Sequence, residues 1–184
     1  MHVHAHRLLQ ARWQPSPNCD ARPDPADITL LVIHGISLPP GEFGGAHVDA
    51  LFGNCLEAAA HPYFAAIQHL RVSAHLFIDR AGTLTQYVCF DRRAWHAGAS
   101  VFAGRAACND YSIGVELEGA DETPYTAAQY AQLCAVTRAL LSAYPGITPE
   151  RIVGHSDIAP GRKTDPGPAF DWAHFRTLLA AAQE

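Results

Sequence analysis

An α/β (or α+β) architecture, a single domain with a central mixed β-sheet flanked by helices, is what this sequence predicts. Three observations predict it. Residues 28–33 form a nearly unbroken β-branched and aliphatic run, as a strand buried on both faces requires. Strand-like apolar runs then alternate with segments of helical spacing, the pattern of helices layered on a sheet. A length of 184 residues with 48% apolar content suits one core rather than several domains.

The elements follow in order. Residues 1–27 read as an N-terminal leader packed on the domain, with four prolines in 15–27, and residues 28–184 as one globular unit. The alternating His2, His4 and His6 lie at an end expected to be mobile and carry no argued role. The run at 28–33 is expected to end at His34-Gly35. Residues 37–54, with Pro39-Pro40-Gly41 and Gly44-Gly45, read as a long punctuated loop and a candidate lid. Residues 62–70 predict a short helix with Pro62 in its first turn. Strands are predicted over 72–79 and 83–90, joined at Arg80-Ala81-Gly82, and over 111–118. Thr126-x-x-Gln129 is a capping box that opens the strongest helix. Tyr130, Leu133, Thr137, Leu140, Leu141 and Tyr144 follow at helical spacing, and Pro145-Gly146 stops it. A short strand over 151–154 leads into His155, and Asp171 caps a last helix from 172 to about 182.

Composition narrows the function. A net charge of −5 argues against a nucleic-acid binder. No apolar run approaches a membrane span, and no apolar segment follows a basic start. The five cysteines, Cys19, Cys55, Cys89, Cys108 and Cys134, are odd in number, widely spaced and without a C-x-x-C, as free thiols of a reducing compartment would be. A cytoplasmic protein with no membrane partner is expected. Eleven histidines against 13 lysines and arginines are the unusual resource, since neutral imidazole is a metal ligand and a near-neutral acid or base.

Two histidines stand out by position. His34 and His155 each follow a short apolar strand, and ligands in open α/β sheets bind beyond strand ends. The segment 155–167 is dense in charge and can fold back through its Gly and Pro residues to bring Asp165 to His155. Two imidazoles and one carboxylate suit Zn²⁺, and three protein ligands plus water is the catalytic pattern. Spacing leaves a second reading open, a solvated loop with ion pairs of Asp157 with Arg162 or Lys163 with Asp165. Glu116 stands on a strand among Ile113, Val115 and Leu117, where burial would raise its pKa and make it a general base. Glu118 reads as its solvated counterpart. Trp95 and His96 lie in a loop where an indole face could meet a sugar ring or a core neighbour.

These residues together resemble the AmpD-type amidases. The resemblance rests on His34 with Ile36-Ser-Leu-Pro-Pro-Gly-Glu-Phe-Gly-Gly45, His69-Leu-Arg-Val-Ser-Ala-His75, Arg93-Ala-Trp-His-Ala-Gly98 and Cys108-Asn-Asp110. Ser112-Ile-Gly-Val-Glu-Leu-Glu-Gly119, Gly154-His-Ser-Asp-Ile-Ala-Pro160 and the run from Arg162 to Trp172 complete it. So many blocks in one order, from residue 15 to 175, are specific where any one is weak. The resemblance implies hydrolysis of the amide between the lactyl group of 1,6-anhydro-N-acetylmuramic acid and L-alanine in cytosolic muropeptides. It implies one zinc per chain on His34, His155 and Asp165, with Glu116 and Lys163 catalytic. Arg71, Trp95, His96, Arg105 and the backbone of Ala159 are the candidate substrate contacts, and no obligate protein partner is inferred. Gly35 stands where such amidases often carry Asn, and Ser156 where Cys is common. A non-catalytic peptidoglycan-fragment binding module and a phage or secreted amidase acting on polymeric wall are the alternatives.

Overall fold

Six strands make the central sheet of the computed structural model, which describes residues 1–181. They are β1 (Arg12–Trp13), β2 (Leu30–Ile36), β3 (Leu76–Ile78), β4 (Leu84–Gln86), β5 (Ser112–Glu118) and β6 (Ile152–Gly154). Across the sheet they run β6-β2-β5-β3-β4-β1. The pairs of β2 with β5 and β6, of β5 with β3 and of β4 with β1 are parallel, while β3 and β4 pair antiparallel. The sheet is therefore mixed, as predicted, and β2 and β5 are its buried centre.

Side-chain alternation gives this sheet two different faces. Leu31, Ile33, Leu76, Ile78, Ile113, Val115 and Leu117 pack in the main core. Helices α3 (Ala127–Ala143) and α5 (Trp172–Ala180) cover that core through Tyr130, Leu133, Leu140, Phe175 and Leu179. The capping box forms as expected: Thr126 Oγ1 accepts from the Gln129 N–H and Gln129 Oε1 from the Thr126 N–H, each at 3.1 Å. The opposite face of β5 carries Ser112, Gly114, Glu116 and Glu118. That period of two explains why this strand reads as hydrophobic with polar alternates.

Several predicted boundaries move. β2 continues to Ile36, so His34 lies inside a strand rather than beyond its end. The strands predicted over 72–79 and 83–90 shrink to three residues each. Val88 and Phe90 are buried without ladder pairing, and an apolar run cannot distinguish the two cases. The helix predicted over 62–70 ends at Ile67 as α2 (Pro62–Ile67). The 37–54 loop holds helix α1 (His47–Phe52), with Val48, Leu51 and Phe52 buried at helical spacing. Of the last predicted helix, residue 182 lies outside the described residues.

The first 27 residues are woven into the fold. Val3–His4 and Arg7–Leu8 form a hairpin, β1 edges the sheet, and Cys19–Ala21 pairs with Arg92–Ala94. His6 Nδ1 lies 3.0 Å from the Tyr144 hydroxyl, in contrast to the mobile end expected there. Among the described residues, no helix is long and apolar enough to cross a membrane.

Candidate metal and catalytic centre

Register builds the first half of the centre. β2 and β5 pair in parallel with His34 directly opposite Glu116, so both side chains leave the same sheet face as neighbours. The second half comes from residues 154–167. There β6 ends at Gly154 and helix α4 (His155–Ile158) begins at once. Two bonds fold this loop back: Asp157 Oδ2 accepts from the Gly154 N–H at 2.7 Å, and the Asp165 carbonyl from the Ser156 N–H at 3.0 Å.

Three donor atoms converge. His34 Nδ1 and His155 Nδ1 lie 2.9 Å apart, and each is 3.1 Å from Asp165 Oδ2. Both histidines are buried, at 1% and 3% exposure, so the arrangement belongs to the interior and not to a solvated loop. A tetrahedral zinc with bonds of ~2.0–2.2 Å spaces its ligands ~3.3 Å apart. The triangle matches three corners of that geometry, slightly contracted. Protonation fits as well. Burial lowers His34 to about 4, with Asp165 opposing the shift. Burial alone would raise Asp165, but hydrogen bonds from His155 and His34 outweigh it and hold the carboxyl below its usual range. A neutral imidazole beside an ionised carboxylate is the form that takes a divalent cation.

Glu116 is half-buried, and its Oε2, itself buried, has no hydrogen-bond partner among the described residues. Such an atom is costly unless it serves a ligand. Burial raises its carboxyl well above the ordinary value, the Asp165 charge adds to this, and Lys163 opposes it. Glu118, expected to be solvated, is instead buried. It accepts from the Gly44 N–H at 2.5 Å and the Arg80 N–H at 3.0 Å, fastening the 37–54 loop to the sheet.

A cleft of about 560 Å³ opens over this group. Glu116, His155, Lys163 and Asp165 line it together with the apolar Leu38, Tyr63, Ile67, Leu70 and Val72. The cleft thus combines polar, titratable groups with apolar side chains. Trp95 and His96 also line it. Lys163 is exposed, and its backbone N–H donates to the Ala159 carbonyl at 3.0 Å.

The remaining candidates lie elsewhere. The Arg71 guanidinium donates to the carbonyls of Gln68 and Leu70, although its neighbours Leu70 and Val72 line the cleft. Arg105 pairs with Asp27 at 2.6 Å and stacks on Tyr111, away from the cleft. Ala159 is buried with its N–H and carbonyl both used inside the loop, so it sets Lys163 rather than facing a ligand. At Gly35 a Cβ would meet the Tyr125 hydroxyl at 2.5 Å, and that hydroxyl donates to the Pro166 carbonyl at 2.9 Å. Tyr125 thereby fills the space an Asn would take. Sequence reasoning missed Tyr125, because nothing in its neighbourhood marks it apart from other core tyrosines.

A family model described as N-acetylmuramoyl-L-alanine amidase matches residues 24–168. The 1,6-anhydro-N-acetylmuramyl-L-alanine amidase AmpD of Escherichia coli (strain K12) is 62% identical over 173 residues, covering 94% of each chain. A crystal structure of a selenomethionine AmpD derivative matches with a TM-score of 0.94 at 59% identity, over 97% of this chain and 99% of that one. AmpDh3 from Pseudomonas aeruginosa, in complex with an anhydromuramic pentapeptide, matches with a TM-score of 0.61 at 30% identity, over 82% of this chain and 59% of that one.

Proposed function

The chain belongs to the N-acetylmuramoyl-L-alanine amidase family, and from that premise we infer that it is an AmpD-type amidase of peptidoglycan recycling. It hydrolyses the amide between the lactyl group of 1,6-anhydro-N-acetylmuramic acid and L-alanine in muropeptides. One observation carries the site assignment. His34, His155 and Asp165 bring three donor atoms within 3.1 Å of one another, and Glu116, whose Oε2 has no partner among the described residues, shares a cleft with His155 and Asp165. Those three residues would hold one zinc ion per chain. Zinc there supplies Lewis acidity to a carbonyl oxygen and makes water more acidic, toward a pKa of about 7.

The chain's own residues then do the following. Glu116 takes a proton from the attacking water as its oxygen bonds to the lactyl carbonyl carbon. The same carboxyl passes that proton to the amide nitrogen as the C–N bond breaks. The products are a lactyl carboxylic acid and the free amine of L-alanine. Burial raises the Glu116 carboxyl above its ordinary value, which makes it a stronger proton acceptor than a solvated carboxylate. The Lys163 ammonium faces the cleft and stabilises the oxyanion that forms on the carbonyl oxygen. Trp95 and the apolar side chains of the cleft accommodate the sugar, and Arg71 reaches peptide carboxylates from the adjoining rim.

Residues 1–27 pack on the domain as part of this one catalytic unit, and no obligate protein partner is invoked. Five free cysteines and a substrate returned from wall turnover support a cytoplasmic enzyme.

The test is a product assay on purified protein given anhydro-muropeptide in one tube and intact sacculi in another. Mass spectrometry should show anhydro-N-acetylmuramic acid species separated from peptides that begin with L-alanine in the first tube. Cleavage of sacculi without cleavage of muropeptide would favour an amidase of polymeric wall. Binding without cleavage would favour a recognition module.

A further inference from the structure

The two histidines have a second nitrogen each, and both end on one short segment. His34 Nε2 lies 2.9 Å from His96 Nδ1, and His155 Nε2 lies 3.2 Å from the Ala97 carbonyl oxygen. His96 Nε2 lies in turn 3.1 Å from Ser112 Oγ. A histidine that ligates through Nδ1 carries its proton on Nε2. The His34 Nε2–H therefore donates to His96 Nδ1, which places the His96 proton on Nε2, where it donates to Ser112. The His155 Nε2–H donates to Ala97 by the same rule.

Residues 96 and 97 are themselves held by one atom. Asn109 Oδ1 accepts from the His96 N–H at 3.1 Å and from the Ala97 N–H at 2.8 Å. The ring of His96 needs the absence of a side chain at residue 114, because a Cβ there would lie 2.5 Å from His96 Cγ. Ser112, Gly114 and Glu116 are successive positions on one face of β5. The strand that presents Glu116 thus also seats the ring behind His34.

We propose that His96 and Asn109 are positioning residues that lock both histidines in the tautomer and orientation needed to ligate, through the segment their hydrogen bonds hold. The inference rests on the reading that His34, His155 and Asp165 bind zinc. It changes the role of His96 from substrate contact to support of the metal pair, and gives Asn109 a role that its sequence position alone did not reveal.

Leu and Asn have the same heavy-atom outline, but only Asn offers an acceptor where His96 Nδ1 stands. Zinc dissociation constants of the full chain, measured by competition with a chromophoric chelator, should separate the two variants. His96→Leu should weaken zinc by about 10–100-fold, the usual effect of losing such a partner, and His96→Asn should stay close to the unsubstituted protein. Nitrogen NMR of the zinc-free protein should show His34 protonated on Nε2, and a mixture of tautomers in His96→Leu. Asn109→Leu against Asn109→Asp makes the same comparison from the outside if His96→Leu does not fold. Equal zinc affinity in His96→Leu and the unsubstituted chain overturns the inference. So does an equal loss in His96→Asn, which would mark a purely steric role. Failure of the unsubstituted chain to bind zinc overturns the underlying metal reading and this inference with it.

Discussion

The two halves of the centre are built in opposite ways. His34 and Glu116 stand on the paired central strands β2 and β5, where ladder bonds fix their separation and both strands are buried. His155, Lys163 and Asp165 come from a stretch with one short helix, where no ladder operates. That stretch supplies its own bonds: Gly154 to Asp157, Ser156 to Asp165, Lys163 to Ala159 and Gly167 to Thr164. A segment without ladder pairing satisfies its backbone groups through local turns of this kind. The difference teaches a division of labour. The strand half provides a carboxyl whose pKa is raised by burial, and the loop half provides a cation and two of the three proposed metal ligands, placed by local turns.

Glu116→Gln removes the strand half's part and has the largest expected effect. The amide keeps the shape and loses the proton acceptor, so turnover of anhydro-muropeptide should fall by about 10²–10⁴-fold with zinc content unchanged. Normal turnover in the zinc-loaded variant would remove acid–base work from the strand half. Lys163→Ala asks the same of the loop half. Its turnover should fall by about 10²–10³-fold, the effect of losing one oxyanion donor, again with zinc retained. A variant that lost zinc instead would show that Lys163 shapes the metal loop.

Protons offer a third, smaller effect. Burial lowers His34 to about 4, and lowers His75 and His96 well below their usual value. In the unfolded chain these imidazoles titrate near ~6.5. Between that value and about 4 the unfolded chain binds more protons, so stability is full above ~6.5 and is lost as pH falls. Glu116 acts oppositely, because its raised pKa makes the folded state the better proton binder; three imidazoles outweigh one carboxyl. The urea midpoint of the zinc-free protein should therefore drop from pH 7 to pH 5. A flat midpoint over that range would contradict the buried, neutral histidines. The smallest effect is Asp157→Ala, which removes the acceptor for the Gly154 N–H and should cost about 1 kcal/mol by urea unfolding. A cost confined to zinc affinity would place Asp157 in the metal site itself.

The two halves also differed in how legible they were. The run at 28–33 and the polar alternates of 112–118 exposed the central strands, because burial on one or both faces leaves a period in sequence. That period put Glu116 on a face, but the pairing of Glu116 with His34 depends on strand order, which no local pattern states. His34 was read as lying beyond its strand because Gly35 looks like an end; here the glycine continues the ladder and makes room for Tyr125. The loop half was legible through residue types and through resemblance, whereas its fold depends on bonds such as Ser156 to Asp165 that leave no periodic trace. Arg105 shows the limit. The guanidinium's fork suggests a carboxylate of the substrate as partner, and the partner in the fold is the chain's own Asp27. Of the 11 histidines, His34 touches His155 through Nδ1 and His96 through Nε2, and these contacts rather than abundance or burial distinguish the three, since His75 is buried too.

In the proposed function, one zinc on His34, His155 and Asp165 is required for amide cleavage. The direct measurement is turnover of anhydro-muropeptide after removal of metal by a chelator, then during titration with zinc. Activity should vanish on removal and return in full at one equivalent per chain, while His155→Ala should not recover at that ratio. Full activity in metal-free protein, or recovery of His155→Ala at one equivalent, would contradict it.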